Sequence, residues 1–217
     1  MGCIVSLILS YTKYDDLGVT GFAASALEII EWRKAYIEQE HKLLKLREKF
    51  WLDDDDMVIE SDIGRRYLTL KGDSKSKERS LIGLEGVPFA GYVLDRENDV
   101  AHITKEINKK TLVHASIRRS GRISRKPGID VFVHHAPVNI ENVSLDGMRP
   151  EIYIRGEFAE KKYSFLMPDG IGFMKIAEAL PEFEGKSEKG HYFINVGPRI
   201  DIAFVGLTGM IIDEMFS

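Results

Sequence analysis

The C-terminal stretch of the chain, from Ile200 to Phe216, limits the possible folds more than any other part of the sequence. No charged residue occurs between Ile202 and Ile212, and apolar side chains fall on every face when these residues are placed at helical spacing. A surface helix shows a polar face, and a helix that crosses a membrane needs about twenty apolar residues. The stretch therefore predicts a helix enclosed by protein, with an amphipathic terminal helix packed on a sheet as the alternative.

Two small residues inside this stretch, Gly206 and Gly209, support the same interpretation. Glycine lowers helix stability by about 1 kcal/mol relative to alanine, so its presence twice in a helix needs a reason. Close approach of other backbone is such a reason.

From Lys42 onward the chain consists of short β-like runs separated by Gly, Pro, Asp and Asn. Strands that recur every 8–12 residues or so, without long helices between them, predict a closed or sandwiched antiparallel β fold. The predicted strands are Leu43–Trp51, Met57–Glu60, Arg66–Lys71, Ser80–Leu84, Phe89–Leu94, Val100–Ile107, Thr111–Ile117, Asp130–His135, Ile152–Gly156, Lys162–Met167, Phe173–Ala179 and His191–Val196.

Composition places the protein among globular proteins of a reducing compartment. The chain has 217 residues, 44% of them hydrophobic, which is enough for one domain with an appendage. The formal net charge of −4 argues against a nucleic-acid partner. The single cysteine, Cys3, excludes a disulfide framework and favours a cytoplasmic location.

The N-terminus, M-G-C-I-V-S, fits a site of double acylation. Gly2 followed by Ser6 matches the myristoylation pattern, and Cys3 is a neighbouring thiol for palmitoylation. One myristoyl chain binds membranes only marginally, whereas a second chain makes the attachment stable. The pattern predicts a cytoplasmic protein held peripherally on a membrane; the alternative is that Cys3–Leu9 forms a buried strand.

An amphipathic helix is predicted from Gly21 to Glu40, after a loop at Tyr11–Thr20. Apolar residues recur there at helical spacing, with charged residues outside that set. We expect this helix either to cap the β domain or to bind a protein partner.

Two H-x-[ST] motifs, at His102 and His114, resemble those of two-histidine phosphoesterases. Their separation fits a single hairpin, which is too close for the two halves of such a site, so strand histidines paired with solvent are the better interpretation. No catalytic residue is predicted. His134 and His135 are adjacent on a predicted strand and should point to opposite faces.

No metal site is predicted either. The acidic run Asp53–Asp56 lacks the alternating spacing that wraps Ca²⁺ and suits a solvated turn. The spacings typical of zinc sites are absent from the sequence.

A basic loop, R-R-S-G-R-I-S-R-K, is the best candidate for ligand binding in this otherwise acidic chain. Near an anionic membrane each cation contributes about 1 kcal/mol, and arginine suits bidentate contact with phosphate. A solvated hairpin loop is the alternative. The predicted headgroup-binding residues are Arg118, Arg119, Arg122, Arg125 and Lys126.

Five segments occur in a set order along the chain: L-R-E-K-F-W at Leu46–Trp51, R-Y-L-T-L-K-G at Arg66–Gly72, the stretch Pro150–Phe165, G-I-G-F-M-K-I-A-E-A at Gly170–Ala179, and the apolar C-terminal helix. Together and in this order they resemble the LURP-one-related family. The resemblance implies a tubby-like or scramblase-like barrel of about twelve antiparallel strands around a buried hydrophobic C-terminal helix. It covers about Lys42–Phe216, which leaves residues 1–41 as an N-terminal extension and 42–217 as the barrel.

The expected function is that of a non-enzymatic, membrane-associated binding or scaffold module without a cofactor. Its partners would be anionic lipids of the cytoplasmic leaflet, or a protein bound through the N-terminal helix. A scramblase-like lipid-handling protein and a soluble structural protein of a larger assembly are the alternatives. Against scrambling, a helix buried in a barrel cannot also cross the membrane.

Overall fold

The computed structural model describes residues 19–22, 42–47, 57–61, 63–72, 78–83, 86–120, 127–170, 172–182 and 190–216. These residues form thirteen strands, a short 3₁₀ helix (Ile140–Asn142) and one α-helix, α1 (Ile202–Phe216). The strands are β1 (Val19–Phe22), β2 (Lys42–Arg47), β3 (Met57–Ser61), β4 (Arg66–Lys71), β5 (Glu78–Ile82), β6 (Pro88–Asp95), β7 (Val100–Ile107), β8 (Lys110–Ser120), β9 (Gly128–Asn139), β10 (Ile152–Glu157), β11 (Lys162–Asp169), β12 (Gly172–Leu180) and β13 (His191–Val196).

Twelve of the strands close into an antiparallel barrel. Each strand from β2 to β12 pairs with the next in sequence, β13 pairs with β2, and β12 pairs with β13 to complete the circle. Closure pairs the wall strands on both sides, except that the first part of β12 lies before its pairing with β13 and keeps a free edge. The predicted fold, a closed antiparallel barrel of about twelve strands, is confirmed.

Helix α1 lies inside the barrel, as its all-round apolar sequence predicts. Every residue from Ile202 to Met215 is buried. The helix begins where Asp201 accepts hydrogen bonds from the backbone N–H groups of Ala203 (2.9 Å) and Phe204 (3.1 Å). This cap satisfies two buried amides that have no partner within the helix itself.

The two glycines of α1 provide room for side chains of the wall. A Cβ added at Gly206 would lie 2.5 Å from Cδ1 of Ile59, and one added at Gly209 would lie 2.8 Å from Cδ1 of Ile194. Close approach at these glycines is confirmed, but the prediction that other backbone makes it is wrong, because side chains of the wall pack there against the helix.

The wall alternates as a barrel wall should, with apolar side chains pointing inward. The structure also gives the pairing in the middle of the chain, where sequence alone left the register open. His102 of β7 lies opposite Ser116 of β8, and a β-bulge separates Val113 from Ala115 where β8 pairs with β9.

The N-terminal extension is described only in β1, which pairs with β12 in parallel. Val19 and Thr20 were predicted as loop, and Gly21 and Phe22 as the start of a helix. These assignments are wrong, because hydrogen bonding to the free edge of β12 holds this stretch extended. The remainder of the predicted helix, residues 23–40, lies outside the described residues, as do Gly2, Cys3 and the alternative strand Cys3–Leu9.

The barrel has two ends, which we name after the helix. At the helix-start end, Ile202 follows β13, and the β3–β4, β5–β6 and β7–β8 turns form part of the rim. At the helix-tail end lie Phe216 and the β6–β7, β8–β9 and β10–β11 connections.

Candidate functional site

The helix-tail end buries two carboxylates on the last turn of α1. Oδ1 of Asp213 lies 3.0 Å from Nζ of Lys161, and its Oδ2 accepts a hydrogen bond of 3.0 Å from the Tyr192 hydroxyl. Negative charge at a helix C-terminus is unfavourable because the helix dipole is negative there. The wall therefore provides the cation and the donor that the helix itself lacks.

Glu214, the second carboxylate, is held from another side of the barrel. It accepts a hydrogen bond from the Tyr92 hydroxyl and forms ion pairs with Arg96 (3.1 Å) and Arg79 (3.5 Å). The side chains of Glu214 and Arg79 are 4% and 2% exposed, whereas that of Arg96 is 69% exposed. The network thus runs from the core to the surface and fixes the helix end in the barrel.

Burial and these carboxylates also change the acidity of the tyrosines. Desolvation, followed by the charge of Glu214, raises the pKa of Tyr92 well above its usual value. Desolvation and the charge of Asp213 raise the pKa of Tyr192 in the same way. Both phenols therefore remain protonated and act as hydrogen-bond donors to the helix end.

Aromatic rings complete this end of the barrel. Phe216 stacks on Phe158, with ring centroids 4.5 Å apart and planes inclined by 11°. The guanidinium of Arg119 lies over the Phe216 ring, with its Cζ 4.3 Å from the ring centroid. Such cation–π contacts contribute about 0.5–2 kcal/mol.

The first part of the predicted basic loop belongs to a strand. β8 continues to Ser120, so Arg118 and Arg119 are adjacent strand residues with opposite orientations. Arg119 faces Phe216 at the helix-tail end, whereas Arg118 is exposed and has its Cζ 4.8 Å from the centroid of the Phe132 ring. The other three predicted headgroup ligands, Arg122, Arg125 and Lys126, lie outside the described residues.

The outward side of β7, β8 and β9 carries a buried polar chain of three residues. Nδ1 of His102 and Nε2 of His134 each lie 2.9 Å from Oγ of Ser116. Exposure is 9% for His102, 8% for His134 and zero for Ser116. The prediction that the motif histidine His102 is paired with solvent is wrong, because its partner is the serine of the second motif, brought opposite it by the β7–β8 hairpin.

These two histidines favour the neutral state. Desolvation lowers the pKa of His102, and the neighbouring His134 lowers it further, while the charge of Asp95 acts in the opposite direction. Desolvation also lowers the pKa of His134. His135, unlike His134, is exposed, and its Nε2 lies 2.7 Å from Oε1 of Glu151.

The helix-start end carries the feature that sequence reasoning missed. Among the described residues, Ile63 and Val87 are the large apolar side chains that are exposed, at 84% and 62%. They occupy the β3–β4 and β5–β6 turns, which are neighbours along the rim. Their sequence signal, an aliphatic residue beside a turn glycine, is too common to be interpreted alone.

Both turns contain internal hydrogen bonds between their described residues. The amide of Gly64 donates to the Ser61 carbonyl (3.0 Å), and Ser61 exchanges further hydrogen bonds with Arg65 through its own amide (2.8 Å) and its Oγ (3.0 Å). In the next turn, the amide of Gly86 donates to the Gly83 carbonyl at 3.0 Å. Gly64 and Gly86 have φ near +75°, which glycine adopts without strain.

Two negative findings concern only the described part of the chain. No group of three or more His, Cys, Asp or Glu side chains there is arranged to hold a metal ion. No helix there has the length and hydropathy of a membrane span.

The fold and its ends define a class of protein, a closed β-barrel filled by its own C-terminal helix. A sequence model of the LURP-one-related family matches residues 42–213, and the chain belongs to that family. The X-ray structure of a protein from Arabidopsis thaliana is similar in fold, with a TM-score of 0.62 and 16% sequence identity. That match covers 88% of this chain and 99% of the Arabidopsis chain. No curated protein matches the sequence.

Proposed function

We propose that the protein is a non-enzymatic binding module that N-terminal acylation holds at a membrane face, and that it meets its ligands on the outside of the barrel. The observation that carries this proposal is the burial of α1 from Ile202 to Met215, which fills the barrel with the chain's own side chains. Proteins that carry a ligand inside a barrel need that space to be open.

The side chains that could take part in catalysis are buried or paired with other groups of the protein, which favours binding over catalysis. Ser116 is completely buried between two histidines, so a substrate has no access to its hydroxyl. The carboxylates of Asp213 and Glu214 are occupied by cations and phenols of the wall.

The proposed anchor joins the barrel at a known place. β1 begins at Val19, which pairs with Phe173 near the start of β12, at the helix-start end. The residues before Val19 reach at most about 60 Å when fully extended. Acyl groups on Gly2 and Cys3 therefore allow any side of the barrel to approach the membrane, and other contacts must select its orientation.

The basic hairpin between β8 and β9 is the proposed surface for an anionic ligand. Arg118 is exposed at its base, and Arg122, Arg125 and Lys126 follow in the sequence. The ligand chemistry is that of phosphate or carboxylate groups, either on lipid headgroups or on an acidic partner.

Vesicle flotation of protein co-expressed with an N-myristoyltransferase tests the proposal. We expect intact mass to show the acyl group and the protein to float with phosphatidylserine-containing vesicles. Gly2→Ala should abolish the modification and reduce flotation by roughly tenfold or more. Absence of acylation, or equal flotation of the Gly2→Ala variant, would contradict the anchor.

A charge variant of the hairpin then identifies the source of its ligand. Loss of flotation in Arg122→Gln/Arg125→Gln would assign the hairpin to lipid headgroups. Unchanged flotation would assign it to an anionic ligand outside the leaflet.

A further inference from the structure

We infer that the helix-start end of the barrel is a lipid-docking surface, at which Ile63 and Val87 enter the interfacial region of an anionic membrane. The inference rests on the proposed membrane association and adds which surface of the barrel makes the contact. We refer to the three consecutive turns β3–β4, β5–β6 and β7–β8 as the rim arc.

The apolar part of the rim arc is the first argument. An aliphatic side chain that is 84% exposed, such as Ile63, gains free energy by leaving water, and Val87 adds to it from the neighbouring turn. Single exposed aliphatic residues are ordinary on protein surfaces. Here the two such residues of the described chain occupy adjacent turns at one end of the barrel, so both can meet a flat surface together.

The internal hydrogen bonds of the turns are the second argument. Hydrogen bonds within the β3–β4 turn order the backbone around Ile63, and Pro88 follows Val87 at the start of β6. Backbone that is already ordered loses little further conformational entropy on docking.

Charge on the rim arc is the third argument, and it favours an anionic lipid surface as the occupant. Arg65 and Arg66, which follow Gly64, are exposed, as are Lys109 in the β7–β8 turn and Lys110 at the start of β8. The sequence of these turns also contains Asp62 and Glu85, and Glu106 lies on β7 before the turn, so four cations stand against three acidic residues. Aliphatic tips between cations match the acyl and headgroup layers of an anionic leaflet.

The position of the anchor is compatible with this orientation but does not select it. Val19, where the acylated segment would join the barrel, lies at this same end. An upright barrel then places the basic hairpin at the far end. Strands of this length, tilted as in a barrel, separate the two ends by about 20–30 Å, which exceeds the Debye length of about 8 Å. In this orientation the β8–β9 connection lies away from the leaflet.

Environment-sensitive labels at the two ends test the inference. Single-cysteine variants Ile63→Cys, Val87→Cys and, at the helix-tail end, Glu97→Cys are made in a Cys3→Ser background, myristoylated and labelled with a nitrobenzoxadiazole dye. All three positions are exposed, so the fold should tolerate the labels. Vesicles contain phosphatidylcholine with phosphatidylserine.

The expected result is flotation of all three proteins, with a blue shift of the emission at positions 63 and 87 and none at position 97. Flotation without a blue shift at 63 and 87, or with a shift only at 97, would overturn the inference and leave the proposed function intact. Absence of flotation would overturn both. As a second readout, Ile63→Ser/Val87→Ser should weaken partition into these vesicles by roughly tenfold, whereas Ile63→Leu should preserve it.

Discussion

The two ends of the barrel differ in how they treat charged and apolar groups. At the helix-tail end, Asp213 and Glu214 are buried and paired, and Phe158, Phe216 and Arg119 cover the end of the helix. At the helix-start end, Ile63 and Val87 are exposed on hydrogen-bonded turns, and exposed cations lie beside them in the sequence. The difference shows that specific polar and aromatic contacts fix the helix at one end, whereas the other end carries apolar side chains that the fold does not bury.

The largest effect should come from unpairing the buried network. Glu214→Ala removes the carboxylate that holds Arg79 and the acceptor of the Tyr92 hydroxyl. We expect the free energy of unfolding to fall by about 3–5 kcal/mol, because a buried charge loses its partner. Denaturant unfolding measures it, with Glu106→Ala, an exposed charge of the helix-start end, as the control that should change by less than about 0.5 kcal/mol. Equal losses of unfolding free energy at the two positions would contradict the proposed difference between the ends.

The reverse asymmetry is expected for membrane partition. Ile63→Ser/Val87→Ser should lower binding to anionic vesicles by roughly tenfold while leaving the melting temperature unchanged. Sedimentation with vesicles and thermal unfolding measure the two quantities on the same samples. A double variant that melts early and still binds would mean that these turns stabilise the fold.

The fold was largely predictable because burial on all sides leaves a clear pattern in the sequence. The run from Ile202 to Ile212 indicated an enclosed helix, and most strand boundaries followed from turn residues. The ends were harder to predict. The opposite orientations of Arg118 and Arg119 depend on where β8 ends, and the partners of Asp213 and Glu214 come from strands far away in sequence.

The exposed residues could not be identified for a different reason. Ile63 and Val87 belong to residue types that are usually buried, and only the turn geometry shows that nothing covers them. Likewise, the pairing of His102 with Ser116 follows from the register of a hairpin, which periodicity does not determine.

The two buried histidines on the outward face of the wall, between the two ends, should make stability moderately dependent on pH. The pKa values of His102 and His134 are lowered in the folded state, so stability is fully present above the unfolded pKa of about 6.5 and declines as the pH falls below it. Melting temperatures between pH 7.5 and pH 5 measure this decline. His102→Gln/His134→Gln should flatten the dependence, and an equally steep curve in that variant would assign the acid sensitivity elsewhere.

The smallest effect is expected from the hairpin. Arg122→Gln/Arg125→Gln should change vesicle partition by less than about twofold if the rim arc faces the leaflet, because the hairpin then lies beyond the screening distance. Flotation of this variant beside Arg65→Gln/Arg66→Gln, which removes the same charge from the rim arc, provides the comparison. A larger loss from the hairpin variant would reverse the assignment of the two ends.

Hydrogen exchange of the myristoylated protein, with and without phosphatidylserine-containing vesicles, tests the central claim most directly. The amides of the β3–β4 and β5–β6 turns report one end, and those of the β6–β7 and β8–β9 connections report the other, in a single experiment without substitutions. The account predicts slower exchange on vesicles at Ile63–Arg66 and around Val87, with the β6–β7 turn and the basic hairpin unchanged. Slower exchange at the basic hairpin with unchanged exchange at the rim arc would contradict it.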